Sequence, residues 1–246
     1  MRRSTVVYAC LATIIIVSLA FSLRFQRAVA AQVDEFTERR ERMVREQIEI
    51  RGVRDTAVLD AMRRVLRHEF VPESLRDLAY ADRPLPIGYG QTISQPFIVA
   101  LMTTLLELEE HDVALEVGTG SGYQAAVLAE LVDRVYTIEI IEPLGRAAQE
   151  RLARLGYENV QVRIDDGYFG WPEAMPFDAI IVTAAATHIP PPLIGQLKAD
   201  GVMIIPVGDP FLVQNLVLIR KQPDGTIITR NILPVRFVPL LGGHDT

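Results

Sequence analysis

A glycine-rich loop is the clearest chemical signal in the sequence. Residues 116–123 read Glu-Val-Gly-Thr-Gly-Ser-Gly-Tyr and directly follow a short apolar run. Because glycine has no side chain, such a loop lets the backbone approach a ligand closely where a helix begins. The dinucleotide fingerprint is G-x-G-x-x-G, whereas Gly122 comes one position early here and Tyr123 takes the last place. The loop therefore predicts a nucleoside ligand other than a dinucleotide, and a tight turn without a ligand is the alternative.

Acidic residues follow the next two apolar runs. Glu139 lies 21 positions after Gly118, where a carboxylate can accept hydrogen bonds from both hydroxyls of a ribose. Asp165, Asp166 and Gly167 follow the third run, and Asp166 is placed to accept from the amino group of an adenine. The alternatives are a solvated strand end for Glu139 and helix capping for the two aspartates. We expect all three segments to converge on one adenosine-type ligand.

The elements that position these residues alternate between strand and helix patterns. The predicted βαβαβ unit consists of strand 113–117, helix 125–131, strand 135–140, helix 144–155 and strand 160–164. Further strands are predicted at 177–183 and 202–207, and a terminal hairpin at 216–220 and 227–238. The pattern predicts an α/β fold with a doubly wound, mostly parallel sheet that binds its ligand at the carboxyl ends of the strands.

A helical extension and a long loop precede this unit. Residues 36–50 are densely charged with apolar residues at helical spacing, and Asp55 can cap a second helix that ends at Leu66. Prolines and glycines punctuate residues 83–95, and a helix is predicted at 97–108. Irregular loops of more than about 12 residues are often functional. The sequence therefore predicts a functional, irregular loop at 83–95.

The composition excludes several classes of function. The net charge is -6, and without residues 1–31, which hold four arginines and no acid, the chain has 21 basic against 31 acidic residues. Residues 32–246, which we call the body of the chain, are thus acidic and contain no basic run. Nucleic acid is therefore not an expected partner. The one cysteine, Cys10, lies near the N-terminus, which excludes a thiol nucleophile in the body. No metal site is predicted, because the histidines lack ligand spacing; they are His68, His111, His188 and His244.

The N-terminus resembles a targeting segment. Residues 6–23 are apolar and follow Arg2 and Arg3, and Ala28, Val29 and Ala30 suit a signal-peptidase site. The run is long for a signal peptide and short for a membrane span, so residues 1–31 are predicted to be either a cleaved signal or an anchor. Either would place the body in the periplasm or at a membrane, with contact through residues 6–23 alone. The alternatives are a buried helix or a later start, for which Met43 is a candidate.

The glycine loop and its acidic partners are together similar to class I S-adenosylmethionine-dependent methyltransferases. Within that class, Pro86-Ile-Gly-Tyr-Gly-Gln-Thr-Ile-Ser-Gln-Pro96 resembles the signature of the protein-L-isoaspartate O-methyltransferase family. Further blocks of that family match in order at residues 176–185, Leu197 with Gly201, 206–208 and 235–240. The resemblance extends from about Met43 to Leu241. It implies a seven-stranded, Rossmann-like methyltransferase sheet with an N-terminal helical extension and a C-terminal hairpin.

The resemblance also implies roles for individual residues. Ser94 matches the active-site serine of the family. The residues expected to bind S-adenosylmethionine are Glu116, Gly118, Thr119, Gly120, Gly122, Glu139, Asp166 and Gly167. Contacts with the substrate are expected from Tyr89, Thr92, Ile93 and Gln95. The implied substrates are proteins and peptides with an L-isoaspartyl residue, whose free carboxyl is methylated so that repair can begin. The family also implies a monomer in the cytoplasm.

The implied domain organisation is simple. One methyltransferase domain would span residues 32–246, with the helical extension at 32–82, a substrate loop at 83–96 and the cofactor-binding sheet at 97–246. Within this domain, Trp171 and Tyr168 are candidates for the cleft or the core, and Arg236 for a substrate carboxylate or a solvated ion pair.

Such a reaction needs no strong general acid or base from the protein. A carboxylate is already ionised at neutral pH, so Ser94 would orient it rather than act as a nucleophile. From the residues alone, Ser94 fits helix capping better. Rival functions are an amine methyltransferase, disfavoured by the apolar Ala184-Ala-Ala186 after the fourth predicted strand, a dinucleotide-dependent oxidoreductase, and a non-catalytic binding protein at the membrane.

Overall fold

Within the described residues, nine strands form two sheets. The computed structural model describes residues 35–209 and 211–242. In chain order, the strands are β1 Leu85–Gly88, β2 Gln91–Ile93, β3 Val113–Val117, β4 Arg134–Glu139, β5 Val160–Ile164, β6 Phe177–Val182, β7 Leu197–Val207, β8 Gln214–Lys221 and β9 Ile227–Val235. β1 and β2 pair with each other, and the other seven form one sheet in the order β5-β4-β3-β6-β7-β8-β9.

The sheet is parallel over most of its width. β5, β4, β3, β6 and β7 pair in parallel, β8 is antiparallel to β7, and β9 is antiparallel to β8. The mostly parallel seven-stranded sheet and the C-terminal hairpin are thus confirmed. The chain runs outward from β3 to β5 and then returns to β6 on the other side of β3. This reversal opens a crevice at the carboxyl ends of β3 and β6, where such sheets bind ligands.

The helices flank this sheet and precede it. They are α1 at residues 35–43 of the described chain, α2 Thr56–Arg64, α3 Pro96–Leu105, α4 Tyr123–Ala129, α5 Glu142–Arg154 and α6 Pro191–Gln196. The predicted cap of α2 is confirmed, because Asp55 Oδ1 accepts a hydrogen bond of 3.1 Å from Val58 N. α2 ends before the predicted Leu66, because Val65 already has an extended backbone.

The chain divides into two compact units, residues 1–42 and 43–246. Every site residue discussed below belongs to the second unit. The predicted single domain from residue 32 to 246 stays a prediction. The predicted signal or anchor at residues 1–31 lies outside the described residues. Among the helices that the structure describes, none combines the length and the apolar character needed to cross a membrane.

The stretch at 83–95 is a β-hairpin, so the prediction of an irregular loop was wrong. Leu85 pairs with Ile93 and Pro86 with Thr92, and Tyr89 and Gly90 form the turn. Both turn residues have positive φ, 52° and 72°, as a type I′ hairpin turn requires. The strands contain four and three residues, which is too short for an alternating pattern to be visible in the sequence. The hairpin leads directly from β2 to Ser94.

Candidate active site

A cleft opens at the carboxyl ends of β3, β4 and β6, as the topology predicts. We call it the strand-end cleft; it is lined by residues 91–94, 116–121, 138–141, 183–184 and 238–241, with Val99, Tyr123, Gln124 and Gly167. Its empty space, counted out to the solvent at its mouth, is about 730 Å³.

The glycine loop forms the floor of this cleft through backbone hydrogen bonds. Gly118 N and Thr119 N both donate to Ile138 O, at 2.9 and 3.1 Å, and so join the loop to β4. Gly118 has a φ of 99°, and a Cβ atom there would lie 2.5 Å from Thr183 Oγ1. A side chain at this position would be strained and would also clash. Gly118 therefore brings bare backbone to the cleft.

Glu139 is held in place at the end of β4 by two backbone amides. Its Oε2 accepts from Gly120 N at 2.7 Å and its Oε1 from Ile141 N at 2.9 Å. The residue is 6% exposed and lines the strand-end cleft. Each carboxylate oxygen can accept more than one hydrogen bond, so both retain capacity for a ligand hydroxyl. The solvated strand end considered as an alternative is therefore wrong.

Glu116 brings a buried carboxyl group to the same cleft. Thr137 Oγ1 donates to its Oε2, whereas its Oε1 has no hydrogen-bond partner in the described chain. Burial raises the pKa of Glu116 to about 8, and the nearby Glu139 adds to this shift, while the bond from Thr137 opposes it. A buried polar atom without a partner is rare. Glu116 can therefore satisfy its free oxygen through a bound ligand.

A second cavity meets the strand-end cleft at Ser94. We call it the outer groove; it is lined by Arg51, Pro84, Thr92, Ser94, Gln95, Phe97, Ile98, Thr183, Val213 and residues 233–238. The two cavities share Thr92, Ser94, Thr183 and Val238. A molecule in the cleft and a second molecule in the groove can therefore meet at these four residues.

The hydroxyl of Ser94 is available at this junction. The N-cap of α3 is Gln95, and no side chain makes a capping hydrogen bond there. The alternative in which Ser94 caps α3 is therefore wrong. Ser94 is half-buried and lines both cavities. Its hydroxyl can donate to an acceptor that enters from either side.

Three predicted site residues do not line either cavity in the described structure. Gly122 instead packs against α5, since a Cβ atom there would lie 3.2 Å from Leu152 Cδ1. The Asp166 carboxylate accepts from Tyr168 N at 3.0 Å and caps a short 3₁₀ turn, which is the capping alternative. Tyr89, at the tip of the β1–β2 turn, is 63% exposed. The other predicted residues line the strand-end cleft, except Gln95, which lines the outer groove.

Two functional segments are absent from the predicted site. Thr183 follows β6, lines both cavities, and donates to Gly118 O at 2.7 Å. Residues 238–241 close one side of the strand-end cleft, and Leu240 N donates to Ala185 O at 2.8 Å. Thr183 could have been found from its place after a central parallel strand. Residues 238–241 carry no such local signal.

Trp171 and Tyr168, which were also considered for the cleft, pack against the hydrophobic core. Trp171 makes an edge contact with Tyr136 at 4.9 Å between ring centroids and packs against the core. The Tyr168 hydroxyl is 3.1 Å from His188 Nε2.

In the described part of the chain, no group of three or more His, Cys, Asp or Glu side chains could hold a metal ion.

Comparison with known proteins identifies the family of this site. Residues 38–245 match the model of the protein-L-isoaspartate(D-aspartate) O-methyltransferase family. A protein-L-isoaspartate O-methyltransferase of Nitrosospira multiformis is 61% identical over 212 residues, which is 85% of this chain and 90% of that protein. Another, from Syntrophobacter fumaroxidans, is 58% identical over 239 residues, or 93% of this chain and 96% of that protein.

Solved structures agree with these sequence matches. One protein-L-isoaspartate O-methyltransferase has a TM-score of 0.74 at 30% identity, over 82% of this chain and 66% of the solved chain. A β-aspartate methyltransferase from Plasmodium falciparum, in complex with S-adenosyl-L-homocysteine, has a TM-score of 0.72 at 28% identity, over 82% of this chain and 98% of the solved one. The chain thus belongs to the protein-L-isoaspartate(D-aspartate) O-methyltransferase family, and it is an S-adenosylmethionine-dependent carboxyl methyltransferase that acts on isoaspartyl residues.

Proposed function

We propose that S-adenosylmethionine binds in the strand-end cleft, and that Ser94 orients the free α-carboxylate of an L-isoaspartyl residue for methylation. The observation that carries this proposal is the meeting of the two cavities at Ser94 and Thr183. One cavity presents glycine backbone and carboxylates, and the other is open and largely apolar. A small methyl donor and a protein acceptor can therefore enter from different sides and meet at one hydroxyl.

The residues of the strand-end cleft fit the cofactor. Gly118 provides a surface that a Cβ atom would obstruct, and Glu139 provides two oxygens for the ribose hydroxyls. Gly167 also admits only backbone, because a Cβ atom there would lie 2.5 Å from Val117 Cγ1. The free oxygen of Glu116 suits a polar or cationic group of the ligand. S-adenosylmethionine, when bound, supplies a methyl group on a positively charged sulfur, which an ionised carboxylate can accept directly.

The groups at the junction suit an acceptor that is already ionised. No histidine, cysteine or lysine is present among the described residues that line the two cavities. The α-carboxylate of an isoaspartyl residue is deprotonated at neutral pH and needs no general base. The remaining task is to hold one carboxylate oxygen in line with the methyl group, which is a contribution of position. Ser94 can do this by donating a hydrogen bond from its hydroxyl to the other oxygen.

A substrate bound at the junction would displace water from that oxygen. Val238 lies between the two cavities, and Leu240 is 8% exposed beside it. Removing water strengthens the hydrogen bond from Ser94 and leaves the carboxylate less solvated than in bulk water. The resulting methyl ester has a better leaving group than the free acid. In this family, that ester gives way to a succinimide, part of which hydrolyses to normal aspartate.

The test uses the full chain and two peptides that differ only in L-isoaspartyl or L-aspartyl at one position. We expect methyl transfer from S-adenosylmethionine to the isoaspartyl peptide alone. Ser94→Ala should lower kcat/KM by about 10–100-fold, because it removes a hydrogen bond to a charged group. The affinity for S-adenosylmethionine should change little, because Ser94 lies at the edge of the cleft.

Ser74→Ala is the matched control, because Ser74 is exposed and lines neither cavity. It should retain full activity. Cofactor binding without transfer to the isoaspartyl peptide would overturn the assigned acceptor. Full activity of Ser94→Ala would overturn the role of Ser94 and leave the acceptor in place.

The proposal extends to the compartment and the assembly of the protein. The apolar run at 6–23 behind Arg2 and Arg3 supports export or anchoring of the domain, and the family resemblance supports a monomer. N-terminal sequencing of the protein from fractionated cells would distinguish a cleaved signal, an anchor and a cytoplasmic protein. Light scattering at several concentrations would test the monomer.

A further inference from the structure

Arg67 is a charged residue in the interior that the proposed chemistry does not use. It begins the 3₁₀ turn Arg67–Phe70 and is 0% exposed. In the described chain, no carboxylate forms an ion pair with it, and burial lowers the pKa of its guanidinium. An unpaired buried charge is costly, and an apolar side chain of similar volume would avoid that cost. Stability alone therefore does not account for an arginine at this position.

The guanidinium of Arg67 joins three separate segments of the chain. Its Nε donates to Ala79 O at 2.7 Å, and its Nη2 donates to Ser94 O at 2.8 Å. Its Cζ lies 4.8 Å from the centroid of the Tyr123 ring, a favourable cation–π distance. Tyr123 opens α4 directly after the glycine loop and lines the strand-end cleft. Arg67 thus contacts both the backbone of Ser94 and the helix that follows the loop.

Among the described residues, the Ser94 carbonyl accepts its hydrogen bond from Arg67. Ser94 lies between the end of β2 at Ile93 and the start of α3 at Pro96. The following residue, Gln95, directs its own side chain away to Asp82, with 2.7 Å between Nε2 and Oδ1. The bond from Arg67 fixes the direction of the Ser94 carbonyl, and a fixed peptide plane limits where the Ser94 hydroxyl can point.

We infer that Arg67 is a positioning residue, which sets Ser94 relative to the transferring methyl group through the Ser94 carbonyl. This inference rests on the proposed function of Ser94. Arg67 itself does not touch the substrate: its rigid, forked guanidinium holds the two carbonyls and the Tyr123 ring in one arrangement. Lysine carries the same charge but lacks this fork, so it cannot hold both carbonyls in the same geometry.

The test is a double-mutant cycle between Arg67→Lys and Ser94→Ala in the full chain, with the isoaspartyl peptide and saturating S-adenosylmethionine. We expect Arg67→Lys to lower kcat by about tenfold in the wild-type background, because a misplacement of about 1 Å is enough for such losses. In the Ser94→Ala background, the same substitution should lower kcat by less than about twofold, since the hydroxyl to be positioned is gone. A purely structural role would give equal losses in both backgrounds.

Two further measurements make the result decisive. Arg64→Lys is the matched control, because Arg64 lies on the surface of α2 and pairs with Glu130; it should leave kcat unchanged. Arg67→Gln, which removes the charge but retains one amide donor, should retain more activity than Arg67→Met if the bond to Ser94 O is what matters. Circular dichroism and thermal unfolding accompany each variant.

Each outcome bears on the inference separately from the proposed function. Equal losses in both backgrounds, or loss of the folded state in every Arg67 variant, would assign Arg67 to folding and overturn the inference. Absence of transfer by the wild-type chain would overturn the proposed function instead. Non-additive losses with retained folding would support the positioning role.

Discussion

The strand-end cleft and the outer groove differ in how their walls are built. In the cleft, backbone amides and carbonyls hold each other and the functional side chains: Gly118 N bonds to β4, Glu139 accepts from two amides, and Thr183 bonds back to Gly118 O. In the groove, the walls come from the β1–β2 hairpin, α3, the loop before β8 and the end of β9. Val213 in that loop is 51% exposed.

This difference corresponds to the two molecules that the enzyme must bind. A cofactor is the same in every turnover, so a closely packed site with fixed backbone donors suits it. Damaged proteins share one isoaspartyl residue and differ around it, so a groove whose lining is mostly hydrophobic suits them. We therefore expect single substitutions to have large effects in the cleft and small effects in the groove.

The largest effect is expected from Gly118→Ala in the strand-end cleft. A Cβ atom there meets Thr183 Oγ1 at 2.5 Å, and the φ of 99° is one that alanine rarely adopts. The strain and the clash together should weaken S-adenosylmethionine binding by about 100-fold or more, as measured by calorimetry. Gly156→Ala is the control, because Gly156 has a φ of 85° but nothing within 4 Å of the added atom. Binding within about threefold of the wild type would show that the cleft is more adaptable than its packing indicates.

A second, smaller effect concerns the buried carboxyl group of Glu116. Its pKa is raised to about 8 in the folded protein, from an ordinary value of 4.5. The folded state therefore binds the proton more tightly than the unfolded state, and this group makes the protein less stable as pH rises from about 4.5 to 8. Glu116→Gln removes this pH-dependent loss of stability. Its free energy of unfolding, relative to the wild type, should increase by about 3 kcal/mol between pH 5.5 and pH 8.5.

Urea unfolding at the two pH values measures this difference. Glu150→Gln, a change to an exposed carboxylate on α5, should show no such dependence on pH. The same Glu116→Gln variant should bind S-adenosylmethionine more weakly at pH 8.5, where the wild-type carboxyl is ionised and attracts a cation. A gain in stability without loss of binding would remove Glu116 from the cofactor site.

The same two regions differ in how far the sequence predicts them. β3 and β5 have their predicted bounds, because each is a short run rich in valine, leucine and isoleucine between turn residues. Gly118 and Glu139 could be placed in the cleft because a strand end and the loop that follows it are neighbours in sequence. The direction in which a side chain points is a finer property that the sequence does not predict: the Asp166 carboxylate accepts from Tyr168 N, and its predicted cofactor role stays a prediction.

The junction of the two cavities depends on contacts between residues far apart in sequence, and local patterns do not reveal these. Thr183 donates to Gly118 O across 65 residues, and Arg67 donates to Ser94 O across 27. The pattern indicated a functional segment at 83–95, and the individual substrate-side residues in it were predicted through the family resemblance. The hairpin that carries them was missed because Pro86 and Gly88 suggest an irregular chain, whereas positive φ at Tyr89 and Gly90 closes a two-residue turn.

The smallest effect is expected in the outer groove, at Arg236. This exposed residue lines the groove and has no ion pair in the described chain, whereas Arg51 on the same groove pairs with Asp82 at 3.0 Å. An isoaspartyl peptide with glutamate beside the damaged residue should therefore have a KM about two- to fourfold lower than its glutamine counterpart. Because the charge is exposed, the difference should disappear at about 0.5 M salt, where the screening length is roughly 4–5 Å.

Arg236→Gln should abolish this preference and leave the KM of the glutamine peptide unchanged. Arg230→Gln is the control, because Arg230 is an exposed arginine on β9 that lines neither cavity. If neither peptide is preferred by the wild type, Arg236 has no role in substrate selection. A preference above about tenfold would be more than a screened surface charge can supply. It would mean that the groove binds the acidic side chain in a fixed, desolvated position. Single substitutions in the groove could then have effects as large as those in the cleft, contrary to the expectation stated above.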